Sequence, residues 1–212
     1  MPFPVAPILD TGTRPDEGPP PSISWSDDPI ADGIKIVSNR FAPDGASGVS
    51  WWNTLYGPDS EVYITVTTLP GDGQSVKLFG RFDSQDLNGA GYQLTYNHEI
   101  ITPPSVFVLS DPNVDILGVN QTLAVGDSFG LQMNGSLISI WYKPAAGVWT
   151  LLGSVVNSAH TAAGYIGLEL QTVTTRAVDF GGGNSVDWST LTGPQVRSTP
   201  INLPVPRAGE EV

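Results

Sequence analysis

Gly126-Asp127-Ser128-Phe129-Gly130-Leu131-Gln132-Met133-Asn134-Gly135-Ser136-Leu137-Ile138-Ser139-Ile140-Trp141-Tyr142-Lys143-Pro144 decides the class of fold. Phe129, Leu131 and Met133 recur at every second position, and Ile138, Ile140 and Tyr142 do so again after a break. Period two marks a strand with one buried face. The break contains Asn134-Gly135, a pair that tolerates the positive backbone angles of a two-residue hairpin, so the stretch reads as two antiparallel strands. The same alternation spreads outward in both directions. Val62, Ile64 and Val66 alternate with Tyr63, Thr65 and Thr67; Val76, Leu78 and Phe82 form another face, as do Tyr92, Leu94 and Tyr96, and then Ile166, Leu168 and Leu170. Turn chemistry separates the runs at Pro70-Gly71-Asp72-Gly73, Asn88-Gly89 and Ala146-Gly147.

Similar runs number roughly a dozen, at the spacing of a two-sheet sandwich. No stretch sustains a 3.6-residue period, and no internal repeat is present. The sequence therefore predicts an all-β fold: an antiparallel two-sheet sandwich of jelly-roll type with extended N- and C-terminal arms. Composition agrees. The chain has 24 Gly and 19 Pro in 212 residues, too many breakers for a helix bundle. Nine Lys plus Arg face 21 Asp plus Glu, a formal charge of −12, which excludes a phosphate-neutralising nucleic-acid surface. No cysteine is present, so disulfides, thiol nucleophiles and thiolate metal sites are excluded. No apolar run approaches the ~20 residues that span a bilayer, and Met1 to Asp10 carry no basic leader. Neither a nucleic acid nor a membrane is expected as partner.

Proline placement divides the chain into a Pro-rich N-terminal arm (1–33), the sandwich (34–183) and an extended C-terminal arm (184–212). Eight prolines fall in the first segment, seven in the second and four in the third. Such arms are extended and preordered, which suits docking on a neighbouring subunit. Ile8, Leu9, Pro20 and Trp25 are the expected gripping residues of the first arm, and Ile201 and Leu203 those of the second. The other possibility is that the arms wrap their own domain and cover a sheet edge.

The stretch quoted above, with Gly164-Tyr165-Ile166-Gly167-Leu168 and Arg176-Ala177-Val178-Asp179-Phe180-Gly181-Gly182-Gly183, resembles concanavalin A-like (laminin-G-like) jelly rolls. Leu9-Asp10-Thr11 with Arg14 and Glu17-Gly18-Pro19-Pro20 resembles the lead-in of such domains in tailed-bacteriophage virion proteins. The similarity covers roughly residues 8–183. It implies a non-enzymatic virion structural protein, assembled in the host cytoplasm: a capsid decoration or minor capsid subunit, or a tail-associated one. Its partners would be major capsid or tail subunits, and it would form a homo-oligomer, by analogy a trimer. Folds host many functions, so the residues must be weighed separately.

A polysaccharide-degrading enzyme needs two carboxyl groups ~5 to 9 Å apart. Glucanase relatives of the fold carry Glu-x-Asp-x-x-Glu on one strand, which is absent here. Glu99 and Glu169 have no acid two or four residues away, and Glu169 reads as a solvated strand residue. Glu61 follows Asp59 by two, but Asp59 sits in the turn-like Gly57-Pro58-Asp59-Ser60. Gly126-Asp127-Ser128-Phe129-Gly130 matches Gly-x-Ser-x-Gly, yet a strand follows it where a nucleophile elbow needs a helix. His98 and His160 read as a packed strand residue and a turn residue. The sequence therefore predicts no enzyme. Asp111, Asn113 and Asp115 are the one candidate metal site, for Ca2+, but Gly118 comes late, Pro112 stiffens the loop and Thr122 stands where a bidentate Glu is needed. Otherwise no cofactor is expected. The alternative function is a carbohydrate-binding module for host-surface glycans, with Trp52, Tyr56 and Trp141 as aromatic platforms. Trp51 and Trp52 are adjacent on a strand and must point to opposite faces, so one belongs to the core.

Overall fold

The computed structural model describes residues 3–99, 105–110 and 114–185. Among these residues there are fifteen strands and no helix. In chain order they are β1 (Ile8–Asp10), β2 (Trp25–Asp27), β3 (Ile34–Ile36), β4 (Phe41–Pro43) and β5 (Ser47–Trp52). Then come β6 (Ser60–Thr68), β7 (Gln74–Phe82), β8 (Tyr92–His98), β9 (Ser105–Ser110) and β10 (Val114–Asn120). The last are β11 (Ser128–Asn134), β12 (Leu137–Lys143), β13 (Thr150–Val156), β14 (Tyr165–Gln171) and β15 (Arg176–Asn184). One sheet has the order β13-β12-β11-β6-β15-β4-β3, with β1 added beside β15, and the other β10-β9-β8-β7-β14-β5-β2. Every pairing is antiparallel. The fold is an antiparallel two-sheet jelly roll.

Alternation produces this arrangement directly. Val62, Ile64 and Val66 of β6 and Phe129, Leu131 and Met133 of β11 meet Val76 and Leu78 of β7 and Tyr92, Leu94 and Tyr96 of β8 between the sheets, all fully buried. Burying a large apolar side chain removes roughly 2 kcal/mol of hydration cost, so a one-residue slip in any of these strands would reverse the balance. Two details depart from the sequence reading. Asn134 pairs with Leu137, so the central turn residues are Gly135-Ser136, with Gly135 at φ 54°, one position later than expected. Phe82 does not share the face of Val76 and Leu78. Arg81 adopts φ 53°, and β14 pairs Gly167 with Phe79 but Tyr165 with Phe82, a bulge that turns Phe82 outward.

The N-terminal segment is not a free arm. β1 pairs with β15 and β2 with β5, so residues 3–33 complete both sheets of their own domain. Trp25 is 2% exposed; its ring packs on Phe41 and Phe180, and its Nε1 donates to Asp10 Oδ2 at 2.9 Å. Asp10 also accepts from Gly12 N and from Arg14, which holds the Pro21 carbonyl. Leu9 packs on the same core, Pro20 is half-buried, and Ile8 alone of the four expected gripping residues is largely exposed. Strand pairing and the buried Trp25 thus tie the segment to its own domain, while Ile8, Ile23 and Ile30 stay exposed. Ile201 and Leu203 lie outside the described residues.

Candidate functional site

The outer face of the seven-stranded sheet carries a groove of about 470 Å³. It is built by the positions that alternate away from the core. Glu169 of β14 faces Lys77 of β7, Lys77 faces Thr95 of β8, and Thr95 faces Phe107 of β9. One row therefore crosses four strands. A second row sets Ser75 against Asn97, with Gln171 alongside, its Oε1 accepting from Ser75 N at 3.0 Å. Gln93 stands on the other side of Thr95 and donates to its hydroxyl at 2.8 Å. Asp115, exposed on β10, forms the far rim.

Charge in the groove is largely cancelled. Lys77 Nζ lies 2.9 Å from Glu169 Oε2, while Glu169 Oε1 accepts from Gln171 Nε2 at 2.8 Å. Glu169 is only 5% exposed, so the solvated residue expected from sequence is a buried anchor that orders its neighbours. The amides and hydroxyls are bonded to one another and to the flanking acids, Asn97 Nδ2 donating to Glu99 Oε1 at 2.6 Å, and they lie beside the half-buried Phe107. Toward the other end the same face is plugged. Val49, Trp51, Phe79 and Phe82 form a second apolar cluster covered by Ala31, Leu87 and Tyr165. Asp28 locks the plug, accepting from Trp51 Nε1 at 3.1 Å and from Leu87 N at 2.8 Å.

Among the described residues the acids in and beside the groove are widely spaced along the sheet. Glu169 and Asp115 are separated by four strand spacings, about 19 Å. Glu99 follows the end of β8, two strands from Glu169 and four residues beyond the Thr95 row, roughly 16 Å away. Both backbone separations are larger than the ~5 to 9.5 Å that a glycosidase sets between its two carboxyl groups.

The residues singled out by sequence are not brought together. Trp52 is half-buried against Trp25, 5.4 Å between ring centroids, and against Phe180, so the N-terminal segment covers it. Tyr56 bridges backbone to Gly164 and packs on the core. Trp141 lies on the opposite side of the molecule, on the outer face of the larger sheet, where Phe3 stacks on it at 5.1 Å with rings 6° from parallel. Phe3 also meets Trp149 and Tyr63 edge-on at 4.7 and 6.1 Å. The expected platform at Trp141 is therefore taken by the chain's own N-terminal segment. Gly130 floors this socket; a Cβ there would lie 2.5 Å from Phe3 Cζ. Of the calcium candidates, Asp111 and Asn113 lie outside the described residues. Asp115 alone of the three is described, and among the described residues no group of three His, Asp or Glu side chains is placed to hold a metal ion. None of the described helices could cross a membrane, since the described residues contain none.

No protein-family model matches the sequence, and no curated protein matches it. Solved structures do. The metal-free exoplasmic/lumenal domain of VIP36 superposes with a TM-score of 0.64 at 12% identity, covering 84% of this chain and 92% of that one. A legume lectin-like domain from Entamoeba histolytica gives 0.57 at 12% identity, covering 77% and 91%. Basic winged bean lectin, solved with Tn-antigen, gives 0.55 at 8% identity, covering 82% and 95%. The fold is thus the legume-lectin-like, concanavalin A-like jelly roll.

Proposed function

We propose that the protein is a non-enzymatic carbohydrate-binding module whose ligand lies across the groove of the seven-stranded sheet. The observation that carries this reading is the set of Gln93, Asn97, Gln171, Thr95 and Ser75 around the Phe107 ring, with Lys77 paired to Glu169 beside them. Sugar hydroxyls both donate and accept, and amides and hydroxyls do the same, so they can exchange bonds with a sugar as they do with water. An aromatic ring supplies the apolar surface that a pyranose C–H face needs. A rigid sheet holds these groups in place before the ligand arrives, which reduces the ordering cost of binding. The similarity of fold to VIP36, solved in a Ca2+/Man3GlcNAc-bound form, supports the class of ligand.

Retention on immobilised mannan, galactan and chito-oligosaccharide is the direct test. Affinities on the order of 0.1–1 mM are expected, about −4 to −5.5 kcal/mol. Phe107→Ala should weaken retention about tenfold, a loss of about 1.4 kcal/mol, and Gln93→Ala should weaken it less, with the thermal midpoint of both variants nearly unchanged. Retention equal in Phe107→Ala and the parent, or none at millimolar sugar on any of the three matrices, overturns the reading.

A further inference from the structure

Arg81, at the end of β7, is 2% exposed and holds a left-handed backbone conformation, φ 53°. Its Nη1 donates to the His160 carbonyl at 2.7 Å, and its guanidinium carbon lies 5.9 Å from the centre of the Tyr92 ring. Nε and Nη2 are buried with no hydrogen-bond partner. These two nitrogens form one edge of the guanidinium, the side-on fork that grips an oxyanion with two parallel bonds. The ion pairs of the described residues do not include Arg81. Burial lowers its pKa, opposed more weakly by Tyr92, through charge and a side-chain hydrogen bond, and by Asp59, whose carboxylate is engaged by Gly135 N.

A buried charge without a counter-charge is expensive, and so is a left-handed non-glycine residue; the two together mark sites where strain serves a ligand. The surroundings tie Arg81 to one neighbouring segment. Gly164 rests against the Arg81 backbone so closely that a Cβ would fall 2.3 Å from its carbonyl carbon, and Gly164 exchanges two backbone bonds with Tyr56. The segment 157–164 is thereby pinned at its far end. Its middle, Ser158 to Ala163, is mostly exposed, and the segment is held to Tyr92 by His160 N donating to the phenol oxygen at 3.2 Å, by the His160 ring edge-on at 5.1 Å and by the phenol donating to Asn157 Oδ1 at 2.9 Å.

We propose that Arg81 is the anchor of a small-oxyanion site, taking a carboxylate, sulfate or phosphate group on its Nε and Nη2 edge while Nη1 holds the 157–164 segment through the His160 carbonyl. The site is distinct from the polar groove, because Phe79 of the apolar plug lies between Lys77 and Arg81 on β7, and it stands whether or not the groove binds sugar.

The test is an NMR titration of the full chain, following the Arg81 Nε–H resonance assigned by triple-resonance methods on the unsubstituted protein. Sodium sulfate, phosphate and acetate are added at constant ionic strength, balanced with sodium chloride. A saturable shift of that resonance with at least one probe is expected, and which probe acts separates tetrahedral oxyanion from carboxylate. At about ten times the dissociation constant the thermal midpoint should rise by roughly 3–6 °C over chloride. Arg81→Gln should lose this rise, and if that variant does not fold the resonance alone decides. A resonance that follows none of the three anions overturns the proposal and leaves the fork to bound water.

Discussion

Glu61 is fully buried on β6, and its carboxylate holds the N-terminal segment to the large sheet. Oε1 accepts from Val5 N and Ala6 N, both at 2.5 Å, and Oε2 accepts from Gln132 Nε2 at 3.2 Å. Burial raises its pKa from 4.5, and these three donors oppose the rise only in part. As pH falls the native state therefore binds this proton before the unfolded chain does. The ionised form costs stability above the raised pKa, and that cost disappears as pH drops toward 4.5. Glu61→Gln keeps an acceptor for Val5 and Ala6, and a flip of the Gln132 amide satisfies the new NH2 group. This variant should be at least as stable as the parent at pH 7, and its advantage should shrink as pH approaches 4. Glu61→Ala strands three donors and should lose roughly 2–4 kcal/mol. Urea unfolding of the three proteins at pH 4 to 7 checks both statements.

At the scale of elements, the N-terminal segment and the β7 bulge shape both outer faces. Phe3 closes the aromatic socket of Tyr63, Trp141 and Trp149, where burial, with smaller effects from Glu61 and Asp179, pushes the Tyr63 phenol up to about 12. Phe3→Ala should cost about 2 kcal/mol, below the ~3–5 kcal/mol of a central Phe, because a terminal segment can peel away without global unfolding. Acrylamide quenching of tryptophan fluorescence should increase with it, as Trp141 and Trp149 lose their cover. The β7 bulge acts on the other face. It turns Phe82 into the plug beside Trp51 and Phe79, and the groove is left open only over Ser75 and Lys77.

For the molecule as a whole, a formal charge of −12 on 212 residues makes the native state self-repelling. Added salt screens this over ~10 Å at 0.1 M, so the thermal midpoint should rise by a few degrees between 10 and 150 mM sodium chloride. A fall over the same range would mean that local ion pairs such as Lys77–Glu169 and Lys35–Asp44 outweigh the net repulsion. The same excess of negative charge favours neutral ligands in the open groove over polyanionic ones.

Period-two alternation is a local property, and it was enough to specify strands, their buried faces and a two-layer body. Lys77, Gln93, Thr95 and Phe107 were legible as outward positions for the same reason, since Val76, Leu78, Leu94 and Val106 beside them point inward. Their convergence was not legible, because it depends on β14 inserting beside β7, across some ninety residues of chain, and on the β8–β9 register. Phe3 on Trp141, Trp25 on Trp52 and the bulge at Arg81 were hidden for a related cause: each is a choice among long-range partners that near neighbours do not constrain. Alternation settles which way a side chain faces, but only the pairing of distant strands settles what it faces, and in this protein that pairing moved the candidate site from the tryptophans to a row of amides and hydroxyls.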